Sequence, residues 1–282
     1  MLLRNAVKMP KLGFGVFQIP KEETESIVLN AIKAGYRMID TAQSYFNEEE
    51  VGNAIKKTDV PRNELFITTK VWIDNYGYQK CKDSVYESIR KLKVDYLDLV
   101  LLHQPFSDYY GAYHALEELY EEGLIKAIGV SNFYPDRLTD ICVFNRIAPH
   151  VNQVETNPLN QQIEAQENMI KNGVQIEAWA PFGEGKNNMF NNETLLEIGS
   201  KYNKTSAQVI LRWLIQRDIV VVSKTSRFER MKENINIFDF ELSQEDMDKI
   251  KTLDTKTSLF FAHDNPKTVE FFVQLQQQRK EK

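Results

Sequence analysis

The sequence predicts a single α/β domain folded as a (β/α)8 TIM barrel around an eight-stranded parallel sheet. Three observations carry that expectation. Short apolar runs alternate along the chain with longer stretches of helical period, as repeated strand–helix units do. Several runs are nearly continuous, as in Leu97-Asp98-Leu99-Val100-Leu101-Leu102, which suits strands buried on both faces. The 282 residues show no fixed-period repeat, low-complexity block or Pro/Gly-rich linker, and α/β barrels commonly reach this length as one domain. Residues 1–282 are therefore read as one domain, with the polar stretch 274–282 fraying at its end. An open doubly wound sheet is the competing architecture.

In chain order, strands are expected at 36–40, 65–70, 97–103, 125–130, 151–154, 174–179 and 219–223, with a weaker eighth near 236–238. Between them, Ile27, Ala31 and Ile32 share one helical face, and Gly35 supplies a stop. Val85, Ile89 and Leu92 form a second stripe, and Leu116, Leu119 and Tyr120 a third, closed by Gly123. Thr205-Ser206-Ala207-Gln208 and Ser226-Arg227-Phe228-Glu229 read as capping boxes. Met247, Ile250 and Leu253 face inward on a late helix begun by Ser243.

The net charge of -5, with both signs mixed along the chain, argues against a nucleic-acid partner. Cys81 and Cys142, the two cysteines, fall in helical segments and read as reduced thiols. No apolar run has the length of a signal-peptide core or of a membrane span. A cytoplasmic protein without a membrane partner is expected.

A barrel of this kind carries its chemistry at the C-terminal ends of its strands. Polar groups recur there: Asp40, Lys70 and His103 end three successive runs, Ser131 and Asn132 follow the next, Gln153 lies late in another, Trp179 ends the sixth and Lys224 follows the seventh. Each alone has a plain structural explanation, a cap, a solvated strand end or a hydrogen-bonded histidine. Their convergence on one rim points instead to a site.

Tyr45 stands five residues past Asp40. A buried Lys beside a buried Asp stays charged, since each offsets the other's desolvation. A tyrosine next to that ammonium is expected to lose part of its usual pKa of about 10. Such a group can protonate an alkoxide forming from a carbonyl, while His103 donates a second hydrogen bond to the same oxygen. No side chain donates hydride, so a cofactor must. No Gly-x-Gly-x-x-Gly follows a strand; Gly13-Phe14-Gly15 comes early and lacks the third glycine, so Rossmann-type binding is excluded. No His/Cys/Asp cluster has metal-ligand spacing, and no metal is expected.

At these residues the chain resembles the aldo-keto reductase superfamily, in particular members similar to 2,5-diketogluconate and glyoxal/methylglyoxal reductases. The resemblance spans nearly the whole chain. It runs through Gly35-Tyr36-Arg37-Met38-Ile39-Asp40-Thr41-Ala42 to Tyr45 and Asn47-Glu48, then Ile67-Thr68-Thr69-Lys70-Val71-Trp72 and Leu101-Leu102-His103. It continues with Gly129-Val130-Ser131-Asn132-Phe133, Val151-Asn152-Gln153-Val154-Glu155, and Lys224-Thr225 with Arg230 and Glu233-Asn234. It implies an NADPH-dependent reductase of small aldehydes or ketones, and a monomeric one. Tyr45 would be the proton donor, tuned by Lys70 and Asp40, with His103 positioning the carbonyl. Ser131, Asn132 and Gln153 would hold the nicotinamide carboxamide and Trp179 would stack on its ring. Lys224, Thr225 and Arg230 would grip the 2′-phosphate, and Asn234 the adenine. Gly13–Gln18 resembles the segment leading to the barrel.

The chain departs from the commoner pattern at Val16 and Phe17 (threonine and tryptophan), Gln104 (tryptophan), Asn157 (histidine), Trp179 (tyrosine) and Ser223 (proline). Phe17, Trp72, His103 and Gln104 are expected at the substrate mouth, Gln104 making one wall more polar. The short end around Ser258–Asp264 suggests an open pocket suited to small dicarbonyls. Two other readings of the same barrel are a Schiff-base aldolase using Lys70 or Lys224, and a non-catalytic NADPH-binding sensor or regulatory subunit. The first predicts a borohydride-trapped adduct, the second tight NADPH binding without turnover.

Overall fold

A computed structural model describes residues 1–280. Eight strands close into a parallel barrel in sequence order: β1 (Leu12–Gly15), β2 (Met38–Asp40), β3 (Phe66–Val71), β4 (Leu99–Leu102), β5 (Ile128–Ser131), β6 (Val151–Glu155), β7 (Gln175–Trp179) and β8 (Val220–Ser223), with β1 pairing β8. Helices α1 (Lys21–Ala34), α2 (Glu48–Lys57), α3 (Tyr78–Leu92), α4 (Tyr109–Glu121), α5 (Pro135–Phe144), α6 (Ile163–Lys171), α7 (Glu193–Tyr202) and α8 (Ser206–Gln216) lie between strands, and α9 (Phe228–Ile235), α10 (Gln244–Lys251) and α11 (Pro266–Lys280) follow β8.

The barrel is as expected, but its first strand is not where the sequence reading placed the eighth. Residues 236–238 leave α9 without joining the sheet; Ile237 is buried and Phe238 exposed. The missing strand is β1, which holds two glycines in four residues and so gives almost no strand signal. Those glycines answer to the barrel interior. A Cβ on Gly13 would meet Met38 Cε at 2.2 Å, and one on Gly15 would meet Val222 Cγ1 at 2.8 Å. Neighbouring strands fill the space that β1 leaves.

Strand alternation sorts the side chains into two cores. Met38, Phe66, Leu99, Leu101, Ala127, Val151, Val220 and Val222 fill the barrel. The antiparallel contact of Leu2 with Lys8 brings Leu3 and Met9 into the same cluster. The second core lies between sheet and helices, and takes in the predicted faces: Ile27, Ala31, Ile32, Val85, Leu92, Leu116, Leu119 and Ile250 are buried, and Ile89, Tyr120, Met247 and Leu253 pack against them.

Local signals decide most helix ends. Gly35 closes α1 at φ 112°, a left-handed conformation that a side chain would disfavour. The Thr205 capping box forms with Gln208, and Ser243 Oγ accepts from the Asp246 amide. The second predicted box does not form: α9 starts one residue later, with Arg227 at its cap and no side-chain cap bond.

The end of the chain differs from expectation. Residues 274–280 continue α11 instead of fraying, while 281–282 lie outside the described residues. Phe272 on α11 is buried against Trp72 and Phe106, at ring centroid distances of 5.8 and 5.5 Å. Among the described residues no helix is long and apolar enough to cross a membrane.

Candidate active site

The polar groups of the barrel gather at the C-terminal ends of its strands. Asp40 is the last residue of β2, and Lys70, near the end of β3, points into the same space with its side chain only 1% exposed. Lys70 Nζ donates to Asp40 Oδ1 at 2.5 Å, to the Thr41 carbonyl at 3.2 Å and to Tyr45 Oη at 3.3 Å. A short 3₁₀ turn, Gln43–Tyr45, carries Tyr45 over the lysine. Gln153 Nε2 holds the other Asp40 oxygen at 2.9 Å.

Burial acts to lower the Lys70 pKa, but Asp40 and Tyr45 outweigh it, and the ammonium is held well above its ordinary range. The tyrosine departs from the sequence expectation. Burial raises the Tyr45 pKa above its ordinary value, and the pull of Lys70 in the opposite direction only moderates the rise. Lys70 therefore restrains an increase; it does not produce a net depression.

His103 follows β4 and stands edge-on to Tyr45 (5.7 Å between centroids) and to Trp72 (5.1 Å), with Ser44 Oγ at 3.4 Å from Nδ1. Phe17 packs on the other side of Tyr45 at 4.9 Å and remains 47% exposed. These groups face a cleft of about 710 Å³.

The expected cofactor residues fall along the same cleft. Ser131, Asn132 and Gln153 are buried in its wall, and Trp179 and Lys224 line it as well. Asn132 adopts the left-handed conformation at φ 65°, one that asparagine tolerates. Its Nδ2 donates to the His103 carbonyl at 3.1 Å, and its Oδ1 accepts from Trp179 Nε1 at 2.9 Å, fixing the indole. Ser131 Oγ donates to the Gln153 carbonyl at 2.8 Å. Thr225, Arg230 and Asn234 do not line the cleft; they sit beyond β8, with Arg230 exposed on α9 and Asn234 buried in it. Neither Lys224 nor Arg230 forms a salt bridge with any described residue.

Gln104 lines the cleft, as expected at the mouth, and its Oε1 accepts from His263 Nε2 at 3.0 Å, which ties the C-terminal segment to this wall. Burial lowers the His263 pKa to about 3 and keeps the ring neutral. One expectation about the mouth changes: the pocket is not left open by a short tail. Phe260, Phe261, Phe271, Phe272 and Leu275 all line it. Sequence reasoning missed these residues; the alternation of Phe260-Phe261 with the Phe271-Phe272 pair was the available signal. It also missed Phe182 and Phe190, on the loop after β7, and Gln18 and Ser44. Among the described residues, no group of three or more His, Cys, Asp or Glu side chains is arranged to hold a metal ion.

Residues 11–255 match the family model described as the aldo/keto reductase family. The chain belongs to that family. It is 48% identical over 254 residues to the glyoxal reductase of Bacillus subtilis, covering 89% of this chain and 91% of that protein. It is 38% identical over 255 residues to the methylglyoxal reductase DkgA of Escherichia coli, covering 89% and 92%. Among solved structures, a Bombyx mori aldo-keto reductase in complex with NADP superposes with a TM-score of 0.88 at 31% identity, covering 94% of this chain and 95% of that one.

Proposed function

We propose that this aldo/keto reductase uses NADPH to reduce small aldehydes and ketones, dicarbonyls such as glyoxal and methylglyoxal among them, with Tyr45 as the proton donor. The observation that carries the reading is the chain of contacts Asp40–Lys70–Tyr45, at 2.5 and 3.3 Å, opening beside His103 into the cleft. The glyoxal and methylglyoxal reductases named above support the substrate class, and the NADP complex of the Bombyx mori enzyme supports the cofactor.

The residues present fit the cofactor. Lys224 and Arg230, two cations without carboxylate partners among the described residues, suit a dianionic 2′-phosphate, with Thr225 between them in the sequence and Asn234 toward the adenine. Ser131, Asn132 and Gln153 offer hydroxyl and amide groups to a carboxamide, and the fixed Trp179 offers a flat face to an aromatic ring.

When bound, NADPH supplies the hydride. Tyr45 and His103 orient the carbonyl oxygen between them, and Tyr45 Oη gives up its proton as negative charge develops on that oxygen. Lys70, three ångströms behind the phenol, stabilises the phenolate that remains, and Asp40 keeps the lysine charged and in place. Trp72 and the phenylalanines of the C-terminal segment keep water from the reacting atoms.

The test is steady-state oxidation of NADPH and of NADH by the purified protein, with glyoxal, methylglyoxal and an aromatic aldehyde. Turnover with a preference for NADPH is expected. Tight NADPH binding with no turnover on any carbonyl would replace this reading with that of a sensor barrel.

A further inference from the structure

One ionisable group inside the barrel takes no part in the scheme above. Glu177 lies on β7 between Ile176 and Ala178, both of which pack toward the helices. It is itself fully buried, in register with Gln153 on β6 and with the barrel-filling Val220 on β8. Its carboxyl therefore shares the barrel interior with Asp40 from β2, Lys70 from β3 and Tyr45 from the turn after β2. The Gln153 amide lies beside it and already gives Nε2 to Asp40 at 2.9 Å. Apart from that amide, neither Glu177 oxygen has a hydrogen-bond partner among the described residues.

The charges there balance without Glu177. Lys70 and Asp40 form one neutral pair. An ionised Glu177 would add a negative charge that no further cation meets and that only the Gln153 amide, already shared with Asp40, could solvate, a costly arrangement in a dry interior. The group avoids it by keeping its proton.

We infer that Glu177 is a positioning residue for the Tyr45 acid, its buried carboxyl set in the barrel interior beside the Asp40–Lys70 pair so that its charge state governs the tyrosine's hold on its proton. The inference rests on the reading of Tyr45 as proton donor. Burial and the Asp40 charge push the Glu177 carboxyl up to about 8. Above that pH the new negative charge opposes a second one on the phenol and raises the Tyr45 pKa. Glu177 thus extends, on the alkaline side, the range over which Tyr45 keeps a proton to give.

Glu177→Gln removes the ionisation while preserving shape. Its pH profiles for kcat, measured in carbonyl reduction and in the reverse alcohol oxidation, are expected to move to lower pH by on the order of one unit. Glu177→Asp, which keeps a carboxyl, is expected to move them back toward wild type. Infrared difference spectroscopy supplies a readout independent of activity. The wild-type protein should show a protonated-carboxyl band at neutral pH that is lost with a midpoint of about pH 8, and Glu177→Gln should lack it. Profiles of Glu177→Gln that coincide with wild type would overturn the inference, as would a wild-type spectrum without a band titrating in that range. A wild-type protein inert toward every carbonyl would instead overturn the role of Tyr45, and the infrared titration separates the two failures.

Discussion

Replacing Lys70 with methionine keeps the length of the side chain and deletes its charge. Two consequences follow from the geometry, and they are measured separately. The first is structural. Asp40 and Lys70 are almost fully buried and 2.5 Å apart. Removing one partner leaves a buried charge unpaired, at a cost of about 3–5 kcal/mol. For a domain of 282 residues that corresponds to a fall in Tm of roughly 10 °C. The second is chemical. The ammonium stands 3.3 Å from Tyr45 Oη and is what opposes the rise that burial imposes on the tyrosine pKa. An opposite charge at such range is worth roughly 1–3 units, so without it Tyr45 becomes a much weaker acid. General acid catalysis contributes about 10²–10⁴-fold, and Lys70→Met should forfeit most of it. The assay is kcat for carbonyl reduction at saturating NADPH and at a temperature where the variant is folded, with the NADPH Kd from fluorescence titration. A kcat loss of about 10²-fold or more with little change in Kd is expected. A folded Lys70→Met with near-normal kcat would refute the argument that the ammonium tunes the proton donor.

Two further perturbations address the cofactor groove and the C-terminal segment. Lys224→Ala combined with Arg230→Ala should raise KM for NADPH by about 10²–10⁴-fold, two charge-assisted hydrogen bonds being worth about 1.5–3 kcal/mol each, while KM for NADH barely moves; equal loss with both cofactors would remove the 2′-phosphate contact from the account. His263 is held neutral by burial, with its pKa lowered from 6.5 to about 3. The unfolded chain takes up a proton that the folded chain refuses, so this part of the stability is present above pH 6.5 and is lost as pH falls toward 3. Fluorescence of Trp72, which packs on Phe272, should report release of the segment in that window, and His263→Gln should flatten the response. A signal as steep in the variant as in wild type would refute the assignment.

The sequence disclosed the barrel because seven of its strands fall in short runs that alternate with stretches of helical period, and because helix stops such as Gly35 are local. It hid β1, whose glycines carry no strand signal and are explained only by the side chains of Met38 and Val222 across the barrel. The proposed catalytic set stood out because Asp40, Lys70 and His103 each end a strand run, a position with chemical meaning in this architecture. What was lost lay in long-range pairing. The bond of Gln104 to His263 joins residues 159 positions apart, and no periodicity announces it. The reading of the tail as leaving the pocket open failed for that reason. The sign of the Tyr45 shift was misjudged for a related one: adjacency to Lys70 is visible in a motif, whereas the burial that outweighs it belongs to the folded barrel.

The central claim is that Tyr45 delivers the proton while other groups hold the cofactor. Tyr45→Phe tests it most directly, since it deletes one oxygen and leaves the ring between Phe17 and His103. Measured side by side, NADPH affinity should match wild type and kcat for methylglyoxal reduction should fall by about 10²–10⁴-fold. A variant that binds NADPH equally well and still turns over at a near-normal rate would contradict the account.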